Sequence, residues 1–119
     1  MRGEHAPDNA MDDRGEIAAF RELCSPLMAA LLDELARVPD TPRAFPEIED
    51  ALGWPRRRIA SVLGGVARMR RMRFGGRRPY RFNEPRGAAS GRWELWADAE
   101  QAAALRSAAA AAVSEPRGG

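Results

Sequence analysis

The stretch Phe45-Pro46-Glu47-Ile48-Glu49-Asp50-Ala51-Leu52-Gly53-Trp54-Pro55-Arg56-Arg57-Arg58-Ile59-Ala60-Ser61-Val62-Leu63 decides how the rest of the chain is read. Its first half predicts a short helix over 46–52, with Ile48, Ala51 and Leu52 inward and Glu47 near the N-terminus, where negative charge favours the helix dipole. Gly53 ends that helix, and Gly53-Trp54 bends the chain. Pro55 opens a second helix, since a residue without an N–H wastes no donor at the first helical position. Ile59, Val62, Leu63 and Val66 follow the i, i+3, i+4, i+7 spacing of an inward face, and this helix is expected to run to Met69 or Met72.

Upstream, Ser25-Pro26 is a helix start, with the Ser hydroxyl available to an orphan N–H. The helix it opens runs to about Val38, with a buried stripe of Leu27, Leu31, Leu35 and Val38 widened by Met28 and Leu32. Pro39-Asp40-Thr41-Pro42 stops it. Before Pro26, a short amphipathic helix from Arg14 to Cys24 carries Ile17, Phe20, Leu23 and Cys24 on one side. Residues 1–12 are polar, aperiodic and rich in turn formers, and read as a disordered leader.

Downstream, Gly75-Gly76 ends the helical pattern, and alternation begins. Tyr80 and Phe82 oppose Arg81, while Trp93 and Leu95 oppose Arg92, Glu94 and Trp96, predicting two antiparallel strands joined by a loop at about 84–90. Asp98 with Gln101 three residues on forms a capping box for an Ala-rich helix over 99–113. The reading is thus one domain over 13–113, with a flexible tail at 114–119.

Length and composition set limits on this domain. The chain has 119 residues, enough for one ordinary core. Of its 53 apolar residues 23 are Ala, so that core is small. No run approaches the ~20 apolar residues of a membrane span, and Met1-Arg2-Gly3-Glu4-His5 lacks the apolar run of a secretion signal; a cytoplasmic protein with no membrane partner is expected. One cysteine, Cys24, and one histidine, His5, provide neither a disulfide nor a zinc ligand set, so no metal and no cofactor are expected. All 19 basic residues are Arg, which together with the abundant Ala, Gly and Pro reflects GC-rich codons.

The charge is segregated. Residues 1–54 carry five Arg against twelve acids, 55–81 carry ten Arg and no acid, and 82–119 carry four Arg against five acids. Between Asp50 and Glu84, 33 consecutive residues lack any carboxylate that could neutralise the guanidiniums locally. A nearly neutral chain with its cations gathered in one stretch implies a local surface for an anionic polymer.

The order of elements is helix, short helix, Gly-containing turn, longer helix, β-hairpin and closing helix. On the residues quoted above, it resembles the winged helix-turn-helix family over about residues 26–98, and looks most like its small bacterial DNA-binding forms. The fold class implied is mainly α with a β-hairpin wing, an α+β winged helix-turn-helix. The resemblance implies a transcriptional regulator on double-stranded DNA, with a recognition helix at about 55–70 in the major groove and a wing at about 79–96 on the backbone or minor groove. At about 100° per residue the outward side of that helix holds Arg57, Ser61, Gly64 and Arg68, flanked by Arg58 and Ala60. Arg57, Arg58, Ser61 and Arg68 are therefore the expected base readers. Arg56, Arg70, Arg71, Arg73, Arg77, Arg78, Arg81 and Arg86 are the expected phosphate ligands.

Several features carry alternatives. Glu49 and Asp50 could hold Arg56 or Arg57 in ion pairs, and the acidic first half could pair with the other Arg. Gly64-Gly65 either lets the helix approach DNA closely or marks a bend or a close helix crossing. Trp54 and Trp93 are read as structural, and Met69 and Met72 as fillers of irregular gaps. The Ala-rich last helix would gain most by packing on the first helix or on a second copy, which makes a homodimer through the terminal helices an expectation. A protein-interaction adaptor on the same scaffold is the alternative function. An enzyme is not expected, because no nucleophile and base, phosphate-cradling loop or metal cluster can be assembled.

Overall fold

Asp13 starts the first helix: its carboxylate accepts from the Gly15 N–H at 3.2 Å. The chain follows as α1 (Arg14–Leu23) in the computed structural model, which describes residues 9–114, Ser114 through its backbone only. Ser25 Oγ accepts from the Met28 N–H at 3.2 Å and, with Pro26 in the first turn, opens α2 (Pro26–Arg37). Beyond α2 the chain turns through Asp40, whose φ of 57° is left-handed. It then lays down β1 (Arg43–Ala44) and enters α3 (Phe45–Leu52), where Glu47 reaches back to accept from the Ala44 N–H at 2.8 Å. Gly53 adopts a φ of 69°, the left-handed C-terminal position where a Cβ would be strained, and so ends α3.

The longest helix, α4 (Arg56–Arg73), closes with the Gly76 N–H on the Arg70 carbonyl. β2 (Arg81–Asn83), a single 3-10 turn at Pro85–Gly87, and β3 (Glu94–Trp96) follow. Asp98 and Gln101 cap α5 (Ala99–Ser114) reciprocally: the Asp98 N–H donates to Gln101 Oε1 at 2.9 Å, and the Gln101 N–H donates to Asp98 Oδ1 at 2.7 Å.

The result is a mainly helical α+β fold with a three-stranded antiparallel sheet in the order β1-β3-β2. Leu95 of β3 is central: it pairs with Phe82 on one side and Arg43 on the other. Helix α2 lies at the middle, with α5, α4 and α3 packed around it and α1 lying on α5. Ile17, Phe20, Leu31, Leu32, Leu35, Ile48, Ile59, Val66 and Leu105 are fully buried where these helices meet. The Ala102 and Ala104 side chains let α5 sit close, so the Ala-rich helix spends its small apolar face within the chain.

Four expectations need correction. The disordered leader was placed at 1–12, but residues 9–12 are tied down: the Met11 N–H donates to the Arg78 carbonyl at 2.7 Å, the Arg78 N–H donates to the Asn9 carbonyl at 2.7 Å, and Met11 is fully buried. Residues 1–8, with His5, and the tail from 115 lie outside the described residues. Leu27, expected in the buried stripe of α2, is 44% exposed, because the inward face is centred on Leu31, Leu32, Leu35 and Ala36. Met72, expected to fill a gap, is 75% exposed at the end of α4. The hairpin strands are three residues each, so the loop between them runs over 84–93, longer than the expected 84–90, and strand β1 was not anticipated.

Candidate nucleic-acid interface

Helix α4 buries Ile59, Val62 and Val66, which fixes what its other side must show. Arg57, Ser61, Gly64, Arg68 and Arg71 are all exposed, and their spacing of four, three, four and three residues places them along one stripe of the helix. Arg58 and Ala60 are exposed beside that stripe. The four expected base readers, Arg57, Arg58, Ser61 and Arg68, are therefore gathered on one solvent-facing surface. Arg57 and Arg68 have no ion pair or hydrogen bond to the described residues, and Arg58 sets its guanidinium 6.0 Å from the Trp54 ring centroid.

Gly64 faces outward, while Gly65 is half-buried beside Met28 of α2. A Cβ on Gly64 would meet nothing within 4 Å, and one on Gly65 would reach only Met28 Sδ at 3.5 Å, an ordinary contact. No helix crosses closely enough to require either glycine. Their cost to the helix, about 1 kcal/mol each relative to Ala, has no return inside the fold.

The expected phosphate ligands separate into two groups. Arg71, Arg73 and Arg86 are exposed and make no ion pair with the described residues; the first two end α4 and the third lies in the 3-10 turn of the hairpin loop. Arg56 is exposed but shared, with its Nε 2.6 Å from Glu49 Oε2 and its guanidinium 5.4 Å from the Phe45 ring centroid. The pairing anticipated at the turn thus falls on Arg56 and not on Arg57.

The other four have structural work. Arg70 donates through Nε and Nη2 to the Gly76 carbonyl at 3.1 and 2.7 Å, tying down the turn after α4. Arg77 pairs with Glu16 of α1. That partnership raises the Arg77 pKa, chiefly through the hydrogen bonds to Glu16. Arg78 is 8% exposed and lies 4.3 Å from the Phe82 ring centroid. Arg81 donates to Asp98 Oδ2 at 2.9 Å, joining β2 to the cap of α5. For Arg70, Arg77, Arg78 and Arg81 the geometry favours holding the hairpin against the helices over meeting a phosphate.

Two residues outside the expected set belong to this surface. Arg92 is exposed at the foot of β3 without an ion pair to the described residues. Trp93, read as structural, is 47% exposed and stacks on Phe82 with centroids 5.6 Å apart. Trp54 is half-buried against the core, as a structural residue would be. Arg92 stands in the sequence between Gly91 and Trp93 at a strand start, where position alone does not separate a surface cation from a paired one.

Among the described residues no group of three or more His, Cys, Asp or Glu could hold a metal ion, and no helix is long and apolar enough to cross a membrane. No family model, curated protein or solved structure matches the chain.

Proposed function

We propose that the chain is a winged helix-turn-helix DNA-binding protein, a transcriptional regulator that places α4 in the major groove and the β2–β3 hairpin on the adjacent backbone or minor groove. The observation that carries this reading is the stripe Arg57, Ser61, Gly64, Arg68 and Arg71, exposed along α4 and unpaired among the described residues. Three Arg in the first turn of α4 stand at the positive end of the helix dipole, where each costs about 0.3–1 kcal/mol. The fold recovers little of that cost, since Glu49 pairs with Arg56 alone. A phosphate backbone would recover it, because duplex DNA supplies negative charge and releases counterions on contact. The two-stranded hairpin after α4 and the strand before α3 fit the order of a winged helix, which supports the same reading.

The test is a mobility-shift assay of the purified chain on mixed genomic fragments across a salt series. Binding that weakens steeply with salt is expected, and no shift at low salt refutes the proposal. Arg68→Ala is expected to weaken specific sites more than bulk DNA. A homodimer would show as a two-fold mass in sedimentation and would place half-sites about 34–36 Å apart.

One observation favours the adaptor reading. Leu23, Met28, Met69 and Met72 line an apolar groove between the α1–α2 junction and α4, with Leu23 50% and Met72 75% exposed. Exposed apolar surface of this kind marks protein contacts. Recovery of a stoichiometric protein partner free of nucleic acid would favour the adaptor over the regulator.

A further inference from the structure

The hairpin does not close fully onto α4. Between them is a cleft of about 360 Å³, near the lower end of the roughly 300–1,000 Å³ typical of ligand pockets. Leu63 and Ala67 of α4 form one wall, Phe82 and Trp93 the other, and Tyr80, Arg70 and Arg78 contribute the polar groups. The Phe82 and Trp93 rings stack 5.6 Å apart and 20° from parallel, and the Arg78 guanidinium lies 4.3 Å from the Phe82 centroid, so Trp93, 47% exposed, is the ring left open to a ligand.

The polar groups are poised. Tyr80 is 6% exposed, yet its hydroxyl makes no hydrogen bond among the described residues. The oxygen itself keeps contact with solvent, so the O–H is a donor open to a molecule in the cleft. Arg70 commits Nε and Nη2 to Gly76 and leaves Nη1 without a hydrogen bond among the described residues. No Asp or Glu lines the cleft. Burial pushes the Tyr80 phenol up in pKa, with Arg70 and Arg78 near enough to oppose it, so the group is a neutral donor beside positive charge.

We infer that this cleft binds a small planar aromatic carboxylate, with its ring on Trp93, extending the Trp93–Phe82 stack, and its carboxylate on the Tyr80 hydroxyl and Arg70. The exposed Trp93 indole matches an apolar plane, and a donor pair of phenol and guanidinium matches one anionic group at its edge. A neutral apolar molecule would leave both donors unpaired, whereas a polyanion would meet the apolar walls. The inference stands apart from the reading of α4 as a DNA helix, because it is measured on the free chain.

The probe is naphthoate, titrated into the whole chain by calorimetry and mapped by heteronuclear NMR, with naphthylmethanol as the neutral counterpart. Saturable binding is expected, with the largest shifts at Ala67, Tyr80 and the Trp93 indole, and with the alcohol at least tenfold weaker, about the loss of one charged hydrogen bond. Tyr80→Phe removes a single oxygen and should weaken naphthoate about tenfold. Ala67→Leu should fill the cleft and abolish binding. Absent binding, shifts that map elsewhere, equal affinity for the alcohol, or full affinity in Tyr80→Phe would each overturn the inference. If Ala67→Leu fails to fold, Tyr80→Phe decides the matter.

Discussion

The division of the arginines into free and committed groups predicts how DNA affinity responds to salt. Each phosphate that a cation neutralises contributes about 0.9 to the slope of log K against log salt. If all eight expected phosphate ligands met DNA, that slope would be about −7. The structure leaves Arg71, Arg73 and Arg86 of that set, with Arg92 beside them, exposed and without ion pairs to the described residues, which sets the slope at about −4. The double variant Arg71→Ala with Arg73→Ala should then lower the slope by about 2. Between about 50 and about 200 mM salt, each lost contact removes about 3.5-fold of the wild-type decline in affinity. Arg81→Gln should leave the slope unchanged, because its guanidinium already donates to Asp98 at 2.9 Å; its loss should appear in thermal stability. The assay is fluorescence anisotropy on a labelled duplex at several salt concentrations, with circular dichroism melts alongside. A slope that falls by one unit in Arg81→Gln, or stays fixed in the double variant, would refute the assignment of free and committed cations.

Further expectations follow from the packing. Gly64→Ala should stabilise the chain by about 1 kcal/mol in urea melts, since a Cβ there meets nothing within 4 Å, and it should weaken DNA binding if α4 approaches the groove closely; a destabilised variant would contradict the open geometry. Gln101 is fully buried, accepts from the Asp98 N–H and donates through Nε2 to the Met11 carbonyl at 3.0 Å, so Gln101→Leu strands two backbone groups and should cost about 2–4 kcal/mol. A loss below about 1 kcal/mol in the same melts would show that residues 9–12 are not held by this bond. Glu34 is held below the ordinary carboxylate range, first by its hydrogen bonds from Arg37 and also by Arg43, against opposing burial. A carboxyl depressed in the folded state lends stability above its unfolded pKa of about 4.3, and that stability is lost as pH falls toward the folded value. Urea midpoints should therefore drop on acidification below about pH 4.3, and Glu34→Gln should flatten that limb; an unchanged pH profile would remove Glu34 from the account.

Much of the architecture was readable because it is local. Ser25-Pro26, Gly53 and the Asp98–Gln101 pair act within a few residues, and all three elements begin or end where those signals stand. The inward face of α4 followed from spacing alone, and its complement gave the stripe of Arg57, Ser61, Gly64 and Arg68. Strand β1 was not readable, because two residues carry no period and their pairing depends on β3, about fifty positions later. The fates of Arg77 and Arg81 were likewise hidden, since Glu16 and Asp98 lie 61 and 17 residues away.

From its amino acids alone this chain determines helices, their caps, the turn between α3 and α4, and the acid-free run between Asp50 and Glu84. These depend on neighbours within a turn or two, where hydrogen bonding and apolar spacing act directly. Only the folded arrangement decides which guanidiniums remain available. Ion pairing falls off with distance in space and is indifferent to distance along the chain. Thus Glu16 claims Arg77 and Asp98 claims Arg81, while Arg57, Arg68 and Arg71 are left facing water.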